Sequence, residues 1–312
     1  MLLFWAGRKQ QAAAALPLLG WIILFTAVGG IASAAFAGLF LLLPERTGTR
    51  MLPHFVSFAT GALIGAALLG LLPEAMEDVG PGGAHAIGAA MVVGLGIFFV
   101  IEKLVLWRHA HSQERNGQDT GGVAEHAAEH NHGSAHTHDP THGHRAGHEA
   151  HGHGHAHGHD HGHNGATGVL VLIGDSIHNA LDGILIAAAF LTNVPLGLVT
   201  TLAVAAHEIP HRVGDFALLV HAGLSRQRAL FLNMATGMAS VVGGVVAYFG
   251  LSKAQDALPY ALALAAAGFL YIAVAGLIPG LHRRADPRTS LIQVCLMGAG
   301  VGVIAWAESL TH

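Results

Sequence analysis

Two short runs in this sequence carry side chains capable of chemistry in surroundings where such side chains are costly. One is His178-Asn179-Ala180-Leu181-Asp182-Gly183, and the other is His207-Glu208-Ile209-Pro210-His211. Both sit inside apolar stretches of membrane-spanning length. Ionisable groups in hydrocarbon cost roughly 2.5–3.5 kcal/mol each on insertion scales, so a cluster of them needs a partner. Residues three and four apart share one face of a helix. Asp175, His178 and Asp182 therefore form one row with Asn179 beside it, while His207, His211 and Asp215 form another with Glu208 one residue round. Two imidazoles at i and i+4 are within reach of one metal ion. Neutral imidazole and carboxylate suit Zn²⁺ and other borderline divalent ions, at about 2.0–2.2 Å. A bound cation also offsets the cost of an unpaired carboxylate in apolar surroundings. Pro210 cannot donate to the carbonyl of Ala206 and predicts a kink. Freed carbonyls at membrane depth are tolerated where they line a cavity, and interrupted helices near the midplane recur at transport sites.

The elements that must position these residues are membrane helices. Of 312 residues, 52% are hydrophobic and 11% charged, against about 25% charged in ordinary soluble domains. About 20 apolar residues cross a bilayer core. Eight such windows are present, at 17–43, 53–72, 87–107, 169–191, 196–220, 229–251, 258–278 and 291–310. The expected fold is all-α and polytopic, in a 3+5 arrangement: helices 1–3 within 1–107, a polar segment at 108–168, and helices 4–8 within 169–312. The polar segment holds 17 of the 25 histidines and alternates almost strictly from His151. It buries too little apolar surface to order itself, and His-rich tracts of this kind collect metal ions loosely. The first apolar run continues past the length of a cleavable leader, so it reads as a spanning helix.

Lys and Arg set the orientation. Loops 1–2, 3–4, 5–6 and 7–8 carry Arg46, Arg50, Lys103, Arg108, Arg115, Arg145, Arg226, Arg228, Arg283, Arg284 and Arg288, against Arg8, Lys9 and Lys253 on the other side. The His-rich loop is therefore expected in the cytoplasm and both termini outside. The Ala- and Gly-rich composition points to a bacterial cell (inner) membrane. A net charge of −4 gives no reason to expect nucleic acid as a partner. The single Cys295 excludes a disulfide framework and reads as a small core residue. Trp5, Trp21, Trp107 and Trp306 read as interface anchors. Glu74, Glu77 and Asp78 close helix 2 on the outer side.

The paired runs resemble the signature helices 4 and 5 of the ZIP (Zrt/Irt-like) metal transporters, in the subfamily that carries HNxxDG and HExPHExGD. The eight helices, outward termini and His-rich loop after helix 3 match as well. The resemblance implies uptake of Zn²⁺, or of Fe²⁺, Mn²⁺ or Cd²⁺, into the cytoplasm without ATP hydrolysis and without enzymatic chemistry. It implies that His178, Asp182, His207 and His211 line the metal site, bordered by Asn179 and Glu208. The partners are then the lipid membrane and divalent metal ions, and a homodimer is compatible with it. Three positions depart from the subfamily. Arg212 stands where the pattern has Glu, helix 6 offers Ser240 where some relatives place a carboxylate, and helix 7 reads Ala275-Gly276-Leu277-Ile278-Pro279-Gly280 where relatives often place acidic residues. Arg212, with Glu208 at i−4 and Asp215 at i+3, is expected to supply a fixed positive charge in place of a second ion, or to form a buried ion pair that tunes the pore. Asp175 and Asp215 are the accompanying candidates for charge tuning.

Three rival classes compete. His207-Glu208-x-x-His211 is also the HExxH of zinc proteases, in which Glu is the general base, and Leu181-Asp182-Gly183 echoes a segment of intramembrane proteases. Against that reading, HExxH follows the Asp-Gly segment here instead of preceding it, Pro210 interrupts the motif, and His178 and the loop are left without a role. An exporter with six helices and a soluble C-terminal domain does not fit a chain that ends on an eighth helix. A metal sensor that does not transport is the third alternative.

Overall fold

In the computed structural model the described residues are 17–40, 44–80, 82–121, 162–282 and 286–310, with side chains described for these except 45, 46, 49, 104–121 and 162–171. Within them the fold is eight helices. Helix α1 is Pro17–Phe40, with a π turn at Val28–Ala32. Helix α2 runs Glu45–Gly65, a π turn Ala66–Leu71, then Leu72–Val79. Then follow α3 (Ala84–Gly121), α4 (Gly162–Thr192), α5 (Val194–His221), α6 (Arg226–Leu251), α7 (Gln255–His282, with a π turn at Ile272–Leu277) and α8 (Pro287–Ser309). The expected all-α architecture holds, and each apolar window lies on its own helix. The backbone of α3 stays helical to Gly121, beyond the window that ended at 107. Residues 122–161, with most of the His-rich tract, lie outside the described residues, as does Trp5.

Among the described residues, six helices are long and apolar enough to cross a membrane by length and composition: α1, α2, α3, α6, α7 and α8. The remaining two, α4 and α5, have the length but carry the polar cluster. Their surroundings compensate. The most extensive helix pairings are α4 with α6, α2 with α8 and α2 with α7. The main apolar core includes Leu63, Leu71, Ile186, Phe190, Leu262 and Phe269, drawn from α2, α4 and α7. The outer faces are apolar too: Val92, Phe231, Val246, Leu291 and Trp306 are all well exposed, as lipid-facing side chains must be. Cys295 is exposed on α8 and is not a core residue, contrary to expectation. An apolar run on a membrane helix faces lipid as readily as protein.

Close packing of α4 on α6 rests on glycine. A Cβ at Gly183 would stand 1.8 Å from the carbonyl oxygen of Ser240, and one at Gly243 would stand 2.1 Å from that of Ala180. Small residues at such crossings let two backbones touch. The last residue of the first run, Gly183, is thus a contact point between helices. The turn from α4 to α5 is a single residue, Asn193. Its Oδ1 accepts from the Leu196 amide at 2.8 Å, capping α5, and its Nδ2 donates to Glu74 Oε1 at 2.9 Å, tying the end of α2 to this turn. Ser225 caps α6 and Asp286 caps α8 in the same way.

Candidate metal centre

The one-residue turn at Asn193 folds α5 back along α4, so the two polar runs meet at the same depth. His178 Nε2 lies 3.7 Å from Asp182 Oδ2 and 3.4 Å from Glu208 Oε1. His207 Nε2 lies 3.4 Å from Asp182 Oδ2 and 3.7 Å from Glu208 Oε1. Nitrogen and oxygen alternate round this ring of four atoms, all within 4.8 Å of one another. All four are buried, and none has a hydrogen-bond partner among the described residues. A tetrahedral ion with bonds of about 2.1 Å needs ligand–ligand edges of about 3.4 Å. The spacing of the ring is close to that.

The tautomer of His207 sharpens the point. Its Nδ1 lies 3.1 Å from the carbonyl oxygen of Ala203, which can only accept. A neutral ring therefore carries its proton on Nδ1, and Nε2 presents a lone pair to two carboxylate oxygens. Like-charged lone pairs facing one another in a buried site lack a cation. The surroundings are tight on the His207 side: His207 is 1% exposed and its ring packs edge-on to Phe269 of α7, centroids 6.3 Å apart.

Beside this open ring lies a closed network centred on Arg212, which is wholly buried. Its Nε donates to Glu208 Oε2 at 2.8 Å, and its Nη1 is ringed by Asp175 Oδ2 (2.7 Å), Thr236 Oγ1 (2.7 Å), Asn233 Oδ1 (2.9 Å) and the Asn233 carbonyl (3.0 Å). Its Nη2 donates to Asn179 Oδ1. Asn179 in turn donates to Asp175 Oδ1 at 2.8 Å, and Asn233 Nδ2 donates to the Arg212 carbonyl at 3.0 Å. Both ends of the Asn179 amide are thereby occupied. Helical spacing offered Asp215 as an Arg212 partner at i+3; the structure pairs Arg212 with Asp175 across to α4 instead.

Asp215 belongs to His211, whose Nδ1 lies 2.9 Å from Asp215 Oδ2 and 3.9 Å from Asp175 Oδ1. His207 and His211 therefore do not point at one centre: His207 joins the four-atom ring, and His211 turns one step further along α5. His178 links the two, with ring centroids 5.7 Å from His207 and 5.2 Å from His211. Asp175, His211 and Asp215 form a second group of potential donors, more open than the first. Exposure rises from His207 (1%) through His178 (21%) to His211 (43%), toward the end of α4 that follows residues 122–161.

Helix α5 is continuous through Pro210. On α6, Ser240 is buried, its carbonyl packed against Gly183 and its Cβ against Gly30 of α1. The α6 residues that do reach the cluster are Asn233 and Thr236, which sequence reading missed. Their signal was present: two hydrogen-bonding side chains three apart, on one face of an otherwise apolar helix. His85, His221 and His282 are exposed at helix ends, whereas His54, expected at an end or in a loop, is exposed inside α2 with Nδ1 2.8 Å from the Arg50 carbonyl.

Comparison with known proteins identifies this arrangement. The family model for ZIP zinc transporters matches residues 18–308, from α1 to α8. The chain belongs to the ZIP family. Among its relatives are zinc transporter ZIP13 of Danio rerio, 30% identical over 300 residues that cover 90% of this chain and 86% of the relative, and ZIP13 of Mus musculus, 32% identical over 84% and 72%. Human zinc transporter ZIP4 is 32% identical over 81% of this chain and 43% of its own length. The ZIP match includes both polar runs and all the helices that surround them.

Proposed function

We propose that this ZIP chain carries Zn²⁺ across a membrane, and that the ion is held in transit by His178, Asp182, His207 and Glu208. The observation that carries the reading is the ring of four buried, unpartnered nitrogen and oxygen atoms. Two imidazoles and two carboxylates make a borderline donor set that suits Zn²⁺ and Cd²⁺, with Fe²⁺ and Mn²⁺ as weaker competitors. His211, Asp215 and Asp175 mark the path between this ring and the end of the bundle that carries the His-rich segment. By the Lys/Arg distribution that end is cytoplasmic, and the resemblance to the ZIP transporters implies uptake toward it. The membrane is that of a bacterial cell. The gradient or ion coupling supplies the energy, and no Walker-type GxxxxGK[ST] is present in the sequence.

The protease reading finds little support in the geometry. Glu208 Oε2 is held by a permanent cation at 2.8 Å, which weakens Glu208 as a general base, and the second histidine of the HExxH pattern faces Asp215. Radiolabelled zinc uptake into proteoliposomes decides the matter. Uptake should be saturable and should vanish in the His178→Ala/His207→Ala double variant. Equal uptake by that variant refutes the site, and absent uptake by the wild-type chain, with zinc still bound, favours a sensor.

A further inference from the structure

Three carboxylates and one guanidinium are buried together between α4, α5 and α6, and their charges do not cancel. Asp175, Asp182 and Glu208 bring three negative charges and Arg212 one positive, leaving two. One divalent ion neutralises that remainder. A second would leave two uncompensated positive charges in a medium that screens them poorly.

The donor atoms divide in the same way. Two of the three buried carboxylates are split: Glu208 gives Oε2 to Arg212 and turns Oε1 to the histidines, while Asp175 gives Oδ2 to Arg212 and Oδ1 to Asn179. Around the guanidinium stand Asp175 Oδ2, Glu208 Oε2, Asn179 Oδ1, Asn233 Oδ1 and Thr236 Oγ1, contributed by three helices. A cage of oxygens with two carboxylates is the shell a divalent cation takes. Here an organic cation fills it.

We infer that Arg212 is a tethered counter-ion that occupies a cation position next to the four-atom ring, and so fixes the occupancy of the buried cluster at one divalent ion per chain. Arg212 is a positioning residue: it touches the ion only through Glu208, which it limits to a single donor oxygen. The inference rests on the metal-site reading given above. Exchange of Arg212 for glutamate changes the cluster from two to four net negative charges and vacates the cage, so a second ion should enter. Exchange for lysine keeps the charge and should keep the count.

The test is a metal count on the purified full-length chain in detergent, stripped with chelator, reloaded with Zn²⁺ and passed through gel filtration. Zinc per chain is measured for wild type, Arg212→Lys and Arg212→Glu, and the value for His178→Ala/His207→Ala is subtracted to remove zinc held by the His-rich tract. The expected differences are one, one and two. A wild-type difference of two overturns the inference, as does a difference of one for Arg212→Glu that elutes as folded protein. If Arg212→Glu fails to fold, the wild-type and Arg212→Lys counts decide: one in both supports the inference, and two in either overturns it. A wild-type difference of zero removes the metal-site reading itself, a failure distinct from that of the Arg212 assignment.

Discussion

Two polar clusters lie side by side on the same pair of helices, one turn apart, and they are built on opposite principles. Around Arg212 the buried N–H groups find acceptors, and Asp175, Asn179, Glu208, Asn233 and Thr236 lock to one another. In the ring of His178, Asp182, His207 and Glu208, four buried atoms face one another at 3.4–3.7 Å without forming a hydrogen bond. The first cluster is complete as folded. The second has the donor set of the proposed ion site, and an ion that must leave again cannot be replaced by a side chain. Buried polar groups in a membrane thus separate into those that hold the protein together and those that wait for cargo.

The contrast can be broken experimentally, and the largest effect should come from emptying the open ring. His178→Ala/His207→Ala should abolish zinc uptake in proteoliposomes while the chain still elutes as a folded species, because the bond it removes, from His207 Nδ1 to the Ala203 carbonyl, is local to α5. Next comes the closed cluster. Arg212→Met leaves Asp175 and Glu208 buried without their cation, which should cost about 3–5 kcal/mol and appear as a marked fall in thermal stability in detergent. Asn233→Ala, which removes one acceptor of Arg212, should lower the same midpoint less, by the equivalent of about 1–3 kcal/mol. Acid should act on the ring alone. Ligation requires neutral imidazole, so zinc affinity should weaken from neutral pH to pH 5, and an unchanged dissociation constant would count against histidine ligation. Deleting residues 125–163 should have the smallest effect, altering transport rate or its response to zinc without abolishing it; total loss of uptake would contradict a collecting or sensing role for the tract.

Much of this was legible in the sequence, for physical reasons. Stretches of some 20 apolar residues have one stable form in a bilayer, so the eight helices could be read directly. The rows Asp175/His178/Asp182 and His207/His211/Asp215 followed from helical spacing, and both rows do line the α4–α5 junction. Spacing gives the face of a helix but not the rotamer. Hence His211 could not be told apart from His207, although one turns to Asp215 and the other to Asp182. Partner choice across helices was equally hidden: Arg212 reaches Asp175 on α4, and the polar face of α6 that holds Asn233 and Thr236 was visible in the sequence while the group it meets was not. Cys295 failed for a related reason, since apolar sequence on a membrane helix does not distinguish core from lipid.

The two helices that carry the polar cluster also have consequences for how the protein is made. Neither α4 nor α5 should leave the translocation channel singly, because each would carry carboxylates or a guanidinium into lipid before the opposing charge had arrived. With one residue, Asn193, between them, they are well arranged to leave as a hairpin, with Asp175 and Arg212 already paired. A glycosylation-mapping insertion assay should then find α5 integrated efficiently behind α4 and poorly when α4 is replaced by a polar spacer. Biogenesis would thus depend on the closed cluster that lies beside the ring.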